Sequence, residues 1–157
     1  MEALTISATI QVAQLEELTV DDQRLVERAV SQTEHSYAPY SDFHVGAAVR
    51  LASGETFGGC NQENAAYGVA MCAERAALFA AGAERPEVAV EAIAIAARNA
   101  EGELTEEPVS PCGVCRQAMV ETETRYHRRL RILLHGRRRT LVIDGVGTLM
   151  PLAFSEF

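Results

Sequence analysis

One layered α/β domain is what this sequence predicts, and three observations predict it. Segments with helical period alternate with short apolar runs of strand length. One of those runs, VAVEAIAIAAR at 88–98, is nearly continuously apolar, as a central strand covered on both faces requires. The bulk composition agrees: 157 residues, 48% hydrophobic and 23% charged, with no internal repeat or linker, suffice for one domain with a real core. A sheet with helices packed on it accommodates all three.

The elements follow in order. TISATIQV (5–12) alternates, with Ile6, Ala8, Ile10 and Val12 on one side, so residues 1–17 form an extension containing an added edge strand or a loose arm. The main domain spans 18–157. Thr19 is an N-cap candidate. Val26, Ala29, Val30 and Thr33 recur at helical spacing, which predicts a first helix over about 20–35. Pro39 punctuates the loop that follows. HVGAAVRLASGETFGGC reads as a hairpin around a Ser53-Gly54 turn. CAERAALFAAG is rich in helix formers and closes on Gly82. After the strand at 88–98 and a polar loop, CRQAMVETETRY starts another helix near Cys112. LRILLHG and RTLVID are two further strands, and LMPLAF is a helical turn or a docking tail.

Charge narrows the function classes. The net charge is −8, which repels nucleic acid unless a local patch overrides it. RYHRRLRILLHGRRR (125–139) is such a patch and holds seven of the fourteen arginines; there is no lysine. It reads as a solvated or subunit-contacting surface, with RNA contact as the alternative. No apolar run approaches the ~20 residues of a spanning helix, so no membrane partner is expected. Glu2 stands where a secretory leader carries positive charge, making the cytoplasm the expected compartment. Thiols stay reduced there, so four cysteines point to a metal or to catalysis.

The cysteine pattern carries the chemistry. In CGVCRQ, Cys112 and Cys115 open a predicted helix, where backbone N–H groups and the helix dipole stabilise thiolates. Such a pair could hold a metal, cycle as a disulfide, or be two buried thiols. Cys72, forty residues upstream, also lies at a predicted helix start. Three thiolates and one open position match a catalytic zinc rather than a closed structural one. Cys60 reads as a small buried residue. His35, His44, His127 and His135 have no ligand-like spacing and read as surface or satisfied side chains. Beside Cys72, Glu74 could serve a zinc-activated water as both base and acid; on its own it is an ordinary first-turn glutamate.

C-A-E followed by P-C-x-x-C resembles the signature of the zinc deaminases. YSDFHVGAAV, GCNQENAAYGVAMCAERAA and PCGVCRQ resemble segments of the cytidine deaminases of the small homotetrameric, three-cysteine type. The resemblance implies a three-layer α/β/α fold with a central mixed sheet of about five strands. It implies one Zn²⁺ per subunit on Cys72, Cys112 and Cys115, with Glu74 as proton shuttle. Asn61 and Glu63 would hold the ribose hydroxyls, and Phe43 and Ala73 would contact the nucleoside. Arg75 would donate to the ligating sulfurs. Tyr67 and Phe154 would approach a neighbouring subunit's site. The implied activity is hydrolytic deamination of cytidine or 2′-deoxycytidine in pyrimidine salvage, with a small-molecule nucleoside as partner and no nucleic acid.

Residues also bear on this without the resemblance. An amide and a carboxylate two apart on an extended segment face the same way and offer donor and acceptor to a diol. Three thiolates on Zn²⁺ leave a charge of −1, which a guanidinium on the sulfurs would offset. Departures from the family pattern are His44 in place of a usual proline, Thr148 in place of a common glutamate, and the N-terminal extension. Another aminated pyrimidine nucleoside, such as blasticidin S, is the alternative substrate, against which NQEN argues. A zinc-stabilised binding module is the non-enzymatic alternative; it leaves Glu74 and NQEN without a task.

Overall fold

The computed structural model describes residues 1–155. Six strands form one mixed sheet in the order β1-β6-β5-β4-β2-β3. The strands are β1 (Gln11–Ala13), β2 (His44–Leu51), β3 (Thr56–Cys60), β4 (Val90–Arg98), β5 (Arg131–His135) and β6 (Thr140–Asp144). Helix α1 (Val20–Gln32) covers one face, and α2 (Ala73–Glu84) and α3 (Gly113–Tyr126) cover the other. The expected three layers are therefore present, with a sixth strand added by the N-terminal segment. Only β4 and β5 run parallel, and α3 is the crossover between them.

Period decides which side each residue faces. On β2 and β4, Ala48, Ala92 and Ala94 meet Leu25, Val26 and Ala29 of α1. The alternate residues Ala47, Val49, Ile93 and Ile95 meet Ala77, Leu78 and Ala81 of α2 and Met119 of α3. The side chains toward α1 are small, so that helix lies close. A Cβ on Gly46 would stand 2.1 Å from the Ala29 carbonyl oxygen. Gly59 plays the same part for α2: its Cβ would meet the Ala77 nitrogen at 2.5 Å and the Ala73 oxygen at 2.6 Å. Gly59→Ala is expected to displace the first turns of α2 and cost about 1–3 kcal/mol. Urea denaturation measures that cost, and zinc affinity should fall with it because Cys72 caps this helix.

Thr19 caps α1 as expected, its hydroxyl accepting from the Asp22 N–H at 3.2 Å. The Asp22 side chain then turns inward. Buried between layers, it accepts from Arg50 of β2 at 3.2 Å and Arg131 of β5 at 2.8 Å. One carboxylate thus ties α1 to two strands.

Two expectations need adjustment. The strand expected over 5–12 is confined to Gln11–Ala13, which pairs with Val142–Thr140 at the sheet edge. β6 ends at Asp144, before Gly145 turns the chain at φ 85°, so there is little edge left to pair. Ile6, Ile10 and Val12 are exposed; their alternation marks no core face. Gly82 does not end α2, which runs on to Glu84; Arg85 and Pro86 stop it, the proline having no N–H to continue the ladder. Gly82 lies instead opposite Arg125 of α3.

The arginine-rich segment is distributed among carboxylates. Arg128 pairs with Glu91, Arg129 with Asp144, Arg137 with Glu103, Arg138 with Glu106 and Glu107, and Arg139 with Glu107. The positive charge is neutralised locally rather than gathered into a stripe. At the C-terminus, residues 149–154 do dock: Arg116 donates to the carbonyls of Pro111 (2.9 Å) and Leu149 (2.8 Å), and Gln117 donates to that of Phe154 (2.7 Å). Among the described residues no helix is long and apolar enough to cross a membrane.

Candidate active site

Cys72 and Cys112 are the N-caps of α2 and α3, and Cys115 lies in the first turn of α3. The two helices lie on one face of the sheet and bring their starts together. The three sulfurs lie within 4.8 Å of one another, with Cys72 and Cys112 3.9 Å apart. A tetrahedral zinc with ~2.3 Å bonds sets its sulfurs about 3.8 Å apart. The thiols are free, so no disulfide competes for them. Among the described residues no fourth His, Cys or carboxylate joins the group, which leaves one tetrahedral position without a protein ligand. The residues therefore fit zinc of the open-site kind.

Electrostatics favour a thiolate at Cys72. Cys72 is drawn down to about 5, chiefly by its hydrogen bond from Cys115 and then by Arg75 and Cys112, against the cost of burial. The same hydrogen bond, together with burial, pushes Cys115 up. Arg75 donates from Nη2 toward the Cys72 sulfur at 3.8 Å. Its Nε is buried without a hydrogen-bond partner, a donor left unsatisfied beside the thiol group.

Glu74 is buried, 5% exposed, in the first turn of α2. Burial is the main cause that raises its pKa. It lines a cavity of about 210 Å³ with Phe43, Val45, Asn61, Cys72 and Cys112; Ala73, Ile95, Val109 and Ser110 complete the wall. The volume lies below the ~300–1,000 Å³ of drug-sized ligand pockets. A larger groove between α2 and α3 lies away from the thiols and contains none of these groups.

Asn61 is held by backbone on both sides of its amide. Its Nδ2 donates to the Phe43 carbonyl at 2.9 Å, and its Oδ1 accepts from the Val45 N–H at 2.8 Å. Glu63 faces the same loop but not the cavity wall. It accepts from the Ser41 hydroxyl (2.6 Å) and the Tyr40 N–H (2.8 Å), which hold its carboxyl below the usual range.

Residues 19–127 match the family described as "Cytidine and deoxycytidylate deaminase zinc-binding region". This chain belongs to that family. The cytidine deaminase of Halalkalibacterium halodurans is 46% identical over 102 residues, 65% of this chain and 72% of the relative. That of Sporosarcina psychrophila is 36% identical over 137 residues, 87% and 93% of the two chains. Among solved structures, cytidine deaminase from Burkholderia pseudomallei superposes with TM-score 0.73 at 41% identity, covering 87% of this chain and all of that one. The Mycobacterium tuberculosis enzyme gives TM-score 0.65 at 30% identity, covering 87% and 98%.

Within this cytidine/deoxycytidylate deaminase fold, the remaining sequence candidates fall as follows. Cys60 ends β3 outside the thiol group, half-buried, donating to the His35 carbonyl and accepting from Gln62. His127 is the left-handed cap of α3, and His135 is buried against Thr140 at 2.9 Å. Tyr67 is highly exposed on the 3₁₀ turn Tyr67–Val69 before Cys72, and Phe154 lies on the exposed tail. Sequence reasoning missed Val45, Ile95, Val109 and Ser110 in the cavity wall. Their residue types are those of any strand or loop, so no local signal could have found them. It also missed Arg116, whose place beside Cys115 was the only hint that it clamps Pro111.

Proposed function

We infer that this protein hydrolyses cytidine or 2′-deoxycytidine to uridine or deoxyuridine, with release of ammonia, using one zinc ion per chain. The observation that carries the reading is the shared cavity: a buried carboxylate, two of the three clustered thiols and the Asn61 amide on one wall. Zinc on Cys72, Cys112 and Cys115 supplies Lewis acidity, which lowers the pKa of water to about 7.

The chain's own groups do the rest. Asn61 has one amide N–H left to donate to a sugar hydroxyl, and Glu63 offers a carboxylate to accept that hydroxyl's proton. Phe43, Val45 and Ala73 pack the nucleoside. Glu74 takes a proton from the attacking water and delivers it to ring N3; it then takes the proton of the new C4 hydroxyl and passes it to the departing amine, which leaves the C4 carbonyl behind. Atoms balance as nucleoside plus water giving uridine and ammonia. Arg75 offsets the negative charge of three thiolates, so the metal keeps its acidity. The reading extends to a homotetramer, supported by the apolar surface that Phe79, Val114 and Tyr67 expose on and beside α2 and α3; Tyr67 and Phe154 would then reach a neighbour's site.

The test is ammonia release from cytidine, 2′-deoxycytidine and blasticidin S, with bound zinc measured on the same samples. Release from the first two, one zinc per chain, and loss of both on chelation are expected. Zinc without ammonia would leave a binding module, and release from blasticidin S alone would reassign the substrate.

A further inference from the structure

His44 is used by no step above, yet its imidazole is half-buried one residue from the cavity wall. The hydrogen bonds around it can be assigned without ambiguity. The Val45 N–H can only donate, so the Asn61 atom it meets at 2.8 Å is the amide oxygen. The Phe43 carbonyl can only accept, so the atom facing it at 2.9 Å is the amide nitrogen. The Ser36 hydroxyl lies 2.6 Å from that same amide oxygen and must spend its one proton there. His44 Nδ1 stands 3.2 Å from the Ser36 oxygen. Ser36 has only lone pairs left for it, so His44 must carry its proton on Nδ1 and donate.

We propose that His44 and Ser36 form a relay, His44 Nδ1–H to Ser36 Oγ–H to Asn61 Oδ1, that positions the Asn61 amide for the sugar. Both lone-pair directions of Oδ1 are then filled, by Val45 and Ser36. One N–H goes to Phe43, and the second is the single polar group that Asn61 can offer the ligand. The amide therefore presents a donor and only a donor, in one orientation. His44 is a positioning residue in this scheme; it touches Ser36, not the nucleoside. The relay rests on the reading that Asn61 holds a sugar hydroxyl.

The experiment compares kcat and KM for cytidine and for 2′,3′-dideoxycytidine, which lacks both hydroxyls, in the zinc-loaded protein. His44→Leu and Ser36→Ala should each lower kcat/KM for cytidine about 3- to 10-fold, mostly through KM, and leave the dideoxy substrate within about 2-fold. His44→Asn, which keeps an N–H donor at similar reach, should restore most of the loss. Asn61→Ala serves as reference and should show the same selectivity more strongly. Should Asn61→Ala be selective while His44→Leu and Ser36→Ala are not, the relay is overturned and the sugar contact stands. Should Asn61→Ala weaken both substrates alike, the sugar contact itself fails and the relay with it. Equal losses on both substrates in the His44 and Ser36 variants alone would make them packing residues and overturn the relay.

Discussion

Glu74→Gln is expected to lower kcat for cytidine by about 10²–10⁴-fold while one zinc per chain is retained. Gln fills the same volume at the start of α2, so the buried wall between Ala73 and Arg75 keeps its packing. What it cannot do is carry one proton from water to ring N3 and a second from the new C4 hydroxyl to the amine. The three thiols lie on two helix starts, Cys72 and Cys112 as N-caps and Cys115 in the first turn of α3. Metal content, the melting curve and steady-state ammonia release therefore separate the roles. Turnover close to that of the parent would remove Glu74 from the chemistry. Loss of zinc together with turnover would make it a structural residue of the metal site.

Asp22→Ala is expected to destabilise the fold by about 3–5 kcal/mol, because removing one partner of a buried ion pair leaves its charge uncompensated. Two cations are stranded here: Arg50, whose side chain is 17% exposed, and Arg131, at 40%. The greater exposure of Arg131 places the expected cost at the lower end. For a chain of this length the melting temperature should fall by roughly 6–12 °C. Asp22 lies on α1, on the face of the sheet opposite α2 and α3. Zinc stoichiometry at 20 °C should accordingly be unchanged. Replacing Asp22, Arg50 and Arg131 together by Leu, Met and Met should recover most of the loss, since apolar side chains leave no charge to solvate. A single variant that melts like the parent would show that the clamp contributes nothing net.

Much of the fold could be read locally. The helical spacing of Val26, Ala29, Val30 and Thr33, the continuous apolar run at 88–98, the cap at Thr19 and the Ser53-Gly54 turn are each settled within a few residues of chain. The failures share a cause. TISATIQV alternates as a strand should, but a strand exists only where an edge accepts it, and β6 accepts three residues. Gly82 carries a stop signal that tertiary packing overrides, with Arg125 across from it. The arginine-rich segment looked like a patch because its acidic partners, Glu91, Glu103, Glu106, Glu107 and Asp144, are distant in sequence or unremarkable beside it.

For the site, the residues proposed for the chemistry were legible and the residues packed around them were not. Cys72, Glu74, Cys112 and Cys115 announce themselves because zinc and proton transfer demand particular atoms at helix starts, and spacing along the chain records that demand. Ser36, Asp22 and Arg116 act through contacts 25, 28 and 33 residues away, and nothing in the sequence next to them sets them apart from other polar side chains. Sequence by itself thus determined the layers and marked out the cysteine cluster with its adjacent carboxylate, both encoded in period and spacing. Tertiary structure alone decided the sheet edge, the buried ion clamp and which side chains orient Asn61. Those depend on distances through space, which the order of residues does not contain until the chain has folded.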